Sequence, residues 1–153
     1  MRAIPYIMFF VLNFGALAIG AALMGEGPTS DWYREANQAP WTPPGWVFGA
    51  AWTFIMICYT IYMGLAWQRI SKQRLLTIFS VQLLFNIGWN PVFFYLHDTE
   101  MALLIIIFLT LLVWVKLFLF SKQMKGWSLL LLPYGIWLGI ATSLNWYFML
   151  HNY

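Results

Sequence analysis

Three tryptophans and three carboxamides are the residues of this chain whose types and spacing could do chemistry. Gln82, Asn86 and Asn90 recur at i, i+4 and i+8 in a run otherwise made of Leu, Phe, Val and Ile. On a helix that spacing is one polar stripe. Trp52, Trp89 and Trp137 stand inside apolar runs rather than at their rims; Trp52 is about 12 Å past Pro44 at 1.5 Å rise per residue. Aromatic faces give stacking and area, and a few carboxamides fix orientation. Such a set suits a pocket for a flat, largely apolar ligand. The competing use is interhelical glue, since an amide in an apolar span must face protein, water or ligand. No nucleophile–base pair stands out. One cysteine, Cys58, and two histidines, His97 and His151, predict neither an intramolecular disulfide nor a metal site.

The elements that must position these residues are membrane helices. Of 153 residues, 62% are hydrophobic and only 8% charged, against about 25% charged in globular domains. Five apolar spans, about 3–24, 44–68, 75–96, 101–121 and 126–150, are each long enough to cross a ~30 Å hydrocarbon core. The expected fold is all-α: a polytopic five-transmembrane-helix bundle, one membrane domain over 1–153, with a lid loop at 25–43. The first span exceeds a signal-peptide core and is interrupted by Asn13 and Gly15, so it reads as a retained helix.

Charge predicts the orientation. With alternating spans, Arg2, Arg69, Lys72, Arg74, Lys122 and Lys125 share one side, and Arg34 and all five acids share the other. The bias puts the N-terminus in the cytoplasm and the C-terminus outside. Lys116, inside the fourth span, is expected to snorkel to the basic side. The net charge of +3 then follows from topology and contact with membrane lipid, and calls for no nucleic acid.

Along the chain, Gly15, Ala16, Gly20 and Ala22 let a second helix approach span one, and Asn13 reads as an interhelical hydrogen bond. The loop carries Trp32 and Tyr33, which give it apolar surface to dock, and 31–38 reads as a short helix capped by Ser30 or Asp31. Thr42 is expected to cap span two, with Pro43 and Pro44 in its first turn. Gly45 and Gly49 form a G-x-x-x-G pair, and Trp52, Met56, Tyr59 and Met63 lie near one face. Pro91 frees the Ile87 carbonyl and predicts a bend. Span four reads as nearly featureless apart from Thr110, Trp114 and Lys116, and as lipid- or dimer-facing. Span five has Gly135, Gly139 and Ser143 on a packing face, with Trp137, Ala141 and Leu144 beside it. Belt positions account for Trp46, Trp67, Trp127 and Trp146. Trp52, Asn86, Trp89, Asn90, Trp137 and Asn145 are expected to converge beneath the lid.

The order WY…APWTPPGWVFGAAW, QLLFNIGWNPVFF, LLPYGIWLGIATSLNW resembles the translocator protein family (TspO, tryptophan-rich sensory protein, peripheral-type benzodiazepine receptor), in its bacterial type, over essentially the whole chain. The resemblance implies a five-helix bundle, often a homodimer in a bacterial cell membrane. It implies protoporphyrin IX or haem as a ligand, with no obligatory cofactor, and synthetic isoquinoline or benzodiazepine-type ligands. By matching positions it places Trp52, Asn86, Trp89 and Trp137 in the pocket, with Trp32, Tyr33 and Pro43 near its lid. Light- and oxygen-dependent porphyrin breakdown, reported for some bacterial members, would implicate Trp52 and Trp137 as catalytic residues. The tail from Leu144 to Tyr153 has no Lys or Arg, unlike the cholesterol-recognition pattern of animal members. The leading reading is a tetrapyrrole-binding sensor. The alternatives are a porphyrin-degrading enzyme, a packing scaffold and a transporter, the last weakened by the lack of an ionisable residue at mid-membrane.

Overall fold

The computed structural model describes residues 3–153. Arg2, one member of the basic set, lies outside the described residues. The chain is an all-α, multi-pass membrane protein. Its long helices are α1 (Ile4–Leu23), α3 (Gly45–Ala66), α4 (Lys72–Phe94), α5 (Thr99–Leu119) and α7 (Leu132–Asn152), all apolar enough to cross a membrane. Two one-turn helices, α2 (Asp31–Arg34) and α6 (Ser121–Met124), and 3-10 turns at Gly27–Thr29 and Lys125–Leu131 complete the described residues.

The helix starts differ from expectation at two places. Span two begins at Gly45, with Pro44 extended at φ −55°, ψ 148° and no side-chain cap, so Thr42 does not cap it and Pro43 is outside the helix. The reason is local: the residue before a proline is pushed from the α region, and Pro43 and Pro44 impose this on Thr42 and Pro43 in turn. In span five, 125–131 is wound as a 3-10 helix, and α7 starts one residue before Pro133, where a missing N–H costs nothing.

Around the bundle the order is α1, α4, α5, α7, α3, closing back on α1. Spans two and five therefore pack on each other, and span three lies between spans one and four. Span four does not face only lipid or a dimer partner: Ala102, Ile106, Leu109, Val113 and Lys116 are buried along one face of α5. The core runs through Phe9, Ile55, Tyr62, Leu75, Leu109 and Leu138, while Ile4, Phe54, Leu84, Leu111 and Phe118 face outward, as a helix exterior bathed in lipid requires.

Close approaches are set by particular glycines. A Cβ on Gly64 would run into the Tyr6 ring, and one on Gly20 would meet Asn90 Nδ2 at 2.7 Å. Gly45 and Gly49 have nothing within 4 Å of such a Cβ, so that pair does not serve packing within the chain. The Asn13 amide donates to Thr60 Oγ1 at 3.0 Å, joining α1 to α3 as expected.

Candidate functional site

The lid is built from Ser30 upward. Its hydroxyl accepts from the Tyr33 N–H at 3.3 Å and starts α2, which stops at Arg34, earlier than the 31–38 expected. Beyond it the Gln38 side chain donates to the Tyr33 carbonyl at 2.9 Å, so that residue ties the turn down from outside. One turn is enough to aim Trp32 and Tyr33 at the bundle. The Trp32 ring stacks on His97 with centroids 4.0 Å apart, and Tyr33 stacks on Phe148 at 5.7 Å. Phe93 and Phe94 complete this aromatic seal. Burial raises the Tyr33 phenol above its ordinary value. His97 holds a left-handed backbone, φ 56°, which is uncommon for a residue with a Cβ.

The loop is also latched at its far end. The Asn37 N–H donates to Asn152 Oδ1 at 2.8 Å, and Asn152 Nδ2 returns a bond to the Asn37 carbonyl at 3.1 Å. Trp41 donates to Ser143 Oγ at 3.1 Å. Pro43, just beyond, is half-buried in extended chain.

Beneath the seal, Trp89 stacks on Phe93 and donates its indole N–H to Asn145 Oδ1 at 3.1 Å. Deeper in, the Asn86 amide donates to the Tyr134 hydroxyl at 2.7 Å, and the half-buried Trp52 sets its ring edge-on to Tyr134, 5.8 Å away. Trp137 is 7% exposed and edge-on to Phe48, and its buried indole N–H has no hydrogen-bond partner. Met56, Asn86 and Tyr134 share the wall of a cavity of about 10 Å³. Ala141 packs on the core beside Trp137, and Leu144 is half-buried one turn on. Asn90 turns elsewhere, with its amide against Gly20 of α1.

Lys116 overturns the expectation of snorkelling. It is fully buried, and its ammonium donates to the Tyr59 hydroxyl and to Gln82 Oε1. The cause is helix geometry: side chains lean toward their helix's N-terminus, and α5 enters at the lid end with Thr99. Lys116 is thus aimed away from the basic end and into the bundle. The premise that the interior lacks an ionisable residue falls with it. Among the described residues no three His, Cys, Asp or Glu side chains cluster as metal ligands would.

Tyr134, His97 and Phe148 were not singled out from sequence as site residues. Tyr134 had a usable signal, an aromatic hydroxyl in the first turn of an apolar helix right after Pro133. His97 and Phe148 had none beyond lying near helix ends.

The TspO/MBR family model matches residues 8–150. Among similar proteins, the tryptophan-rich protein TspO of Archaeoglobus fulgidus is 34% identical over 93% of this chain and 94% of that protein. The tryptophan-rich sensory protein of Cereibacter sphaeroides is 32% identical, covering 94% and 89%. The translocator protein of Bos taurus is 26% identical, covering 94% and 87%.

Proposed function

Since the chain belongs to the TspO/MBR family, we propose that it is a membrane receptor or sensor that binds protoporphyrin IX and related tetrapyrroles beneath the lid. The pocket opens to the non-cytoplasmic side of a bacterial cell membrane, with the N-terminus in the cytoplasm. The observation that carries this reading is the unpaired indole N–H of Trp137. A buried donor with no acceptor costs about 1–3 kcal/mol, and a ligand acceptor would remove that cost. In the same core Trp52 and Asn86 meet at Tyr134, and Met56 adds a compliant thioether to the cavity wall there.

The donors fit the ligand class; the space requires movement. A cavity of about 10 Å³ takes one water-sized group, so a tetrapyrrole ring enters only if the bundle opens, and the opening proposed is a lift of the lid in which Trp32 and Tyr33 leave their stacks. The lid is therefore part of the binding step, and affinity is reduced by whatever its docking contributes. A dark titration of the purified protein with protoporphyrin IX tests the reading. Saturable quenching of porphyrin and tryptophan fluorescence is expected, and its absence would remove the proposal.

A second reading, light- and oxygen-dependent porphyrin breakdown, is favoured by one observation. Trp52 contacts Tyr134 and Tyr134 contacts Tyr59, with centroids 5.8 and 5.4 Å apart. This line of oxidisable rings leads inward from the proposed pocket.

A further inference from the structure

We propose that Lys116, held directly behind the cavity-lining Tyr59 and Gln82, is a carboxylate anchor for one acidic side arm of the bound tetrapyrrole; this rests on the ligand class proposed above. The ammonium is 0% exposed and uses two donors, on Tyr59 and Gln82, leaving one of its three. Gln82, 1% exposed, has its Oε1 taken by Tyr59 and Lys116, and its Nε2 has no partner. Gln82 and Tyr59 line the same cavity as Asn86 and Tyr134. The cluster thus has spare donors and an amine that an arriving carboxylate would hold in its charged form.

No acid of the chain can answer that charge. Glu26, Asp31, Glu35, Asp98 and Glu100 are all in or beside the lid-end loops. Even Glu100, on the same helix, is sixteen residues from Lys116, about 24 Å of rise. A buried cation is stable when an anion and further hydrogen bonds meet it. A carboxylate arriving at Gln82 would accept from its free Nε2 and, by displacing Oε1, from Lys116 Nζ behind it. The cavity admits an oxygen-bearing tip but not a ring. The ring body therefore stays by Trp52 and Trp137, and a flexible arm reaches inward past Met56, an unbranched side chain that repacks readily.

The test compares protoporphyrin IX with its dimethyl ester in dark titrations of the native protein and Lys116→Met. The native protein should bind the acid about tenfold or more tighter than the ester, the scale of a hydrogen bond to a charged group. In Lys116→Met the acid should fall to the ester's affinity while the ester is unchanged. Lys116→Gln serves in the same comparison if the Met variant does not give a monodisperse protein. An acid-to-ester ratio that is equal in native and variant, or near one in the native protein, overturns the anchor and leaves tetrapyrrole binding standing. Failure of both ligands to bind the native protein removes the ligand class, and the anchor with it.

Discussion

Trp89 and Asn145 are joined by an indole-to-amide hydrogen bond of 3.1 Å, and the same Asn145 donates to the Thr99 carbonyl at 3.0 Å. One carboxamide, 2% exposed, thereby ties the lid-end halves of α4, α5 and α7. Asn145→Leu would leave the Trp89 N–H and the Thr99 carbonyl without their shared partner. We expect a loss of about 2–4 kcal/mol, two buried polar groups at 1–3 each with partial relief, read as a fall in Tm in detergent.

The latch between Asn37 and Asn152 predicts the behaviour of the loop. Asn152→Ala should speed protease cleavage within 26–43 in the absence of ligand, by a few-fold for about 1 kcal/mol of lost bonding. Added protoporphyrin IX should slow cleavage of the native loop once the lid recloses. Equal rates with and without ligand would reduce the loop to a connector.

Tyr33 gives the lid a pH dependence whose sign follows from burial. Its phenol is raised above the ordinary value of 10.0 in the docked lid. Docking then favours the protonated form: the contribution is complete below about pH 10 and is lost as pH rises through the higher docked value. Loop cleavage should accelerate above that range in the native protein and less so in Tyr33→Phe.

Trp52 and Trp137 separate binding from chemistry. Trp137→Phe keeps most of the buried area and removes the unpaired N–H, so affinity should fall by about 1 kcal/mol. If the rings also donate electrons, phenylalanine cannot replace them, and light-driven loss of the Soret band at equal occupancy should drop several-fold. An unchanged rate at saturation would eliminate the enzymatic reading.

Orientation follows from the split of charges. With Arg69, Lys72, Arg74, Lys122 and Lys125 at one end and all five acids at the other, a C-terminal reporter should read outside the cytoplasm. A cytoplasmic signal would reverse the pocket's side.

The five spans were legible because hydropathy and length are properties of the chain itself, independent of neighbours. Asn13 and Asn86 were legible as inward polar groups because an apolar exterior excludes them. Their partners, Thr60 and Tyr134, depended on which helices are adjacent, and periodicity does not encode that. Lys116 is near the basic end by its place in the span, and only the lean of its side chain turns it inward. Thr42 carries a capping hydroxyl, but the prolines that follow it hold the chain extended past it. Asn90 shares a stripe with Asn86 yet meets Gly20, since a helix that rotates about 40° over four residues presents successive polar groups to different neighbours.

The buried lysine also bears on how the chain enters a bilayer. A lysine deep in a span costs about 2.5–3.5 kcal/mol on insertion, and α5 must cross before its shielding by Tyr59 and Gln82 is assembled or while it is being assembled. The helix that carries it holds the most apolar eighteen-residue stretch among the five spans. Ile105, Ile106, Ile107, Leu109, Leu111 and Leu112 each contribute a few tenths of a kcal/mol toward insertion and together offset one ammonium. Alanine at the outward-facing Ile107 and Leu111 spares the buried face that holds the lysine contacts but should lower the fraction of nascent chains in which α5 is threaded across the membrane.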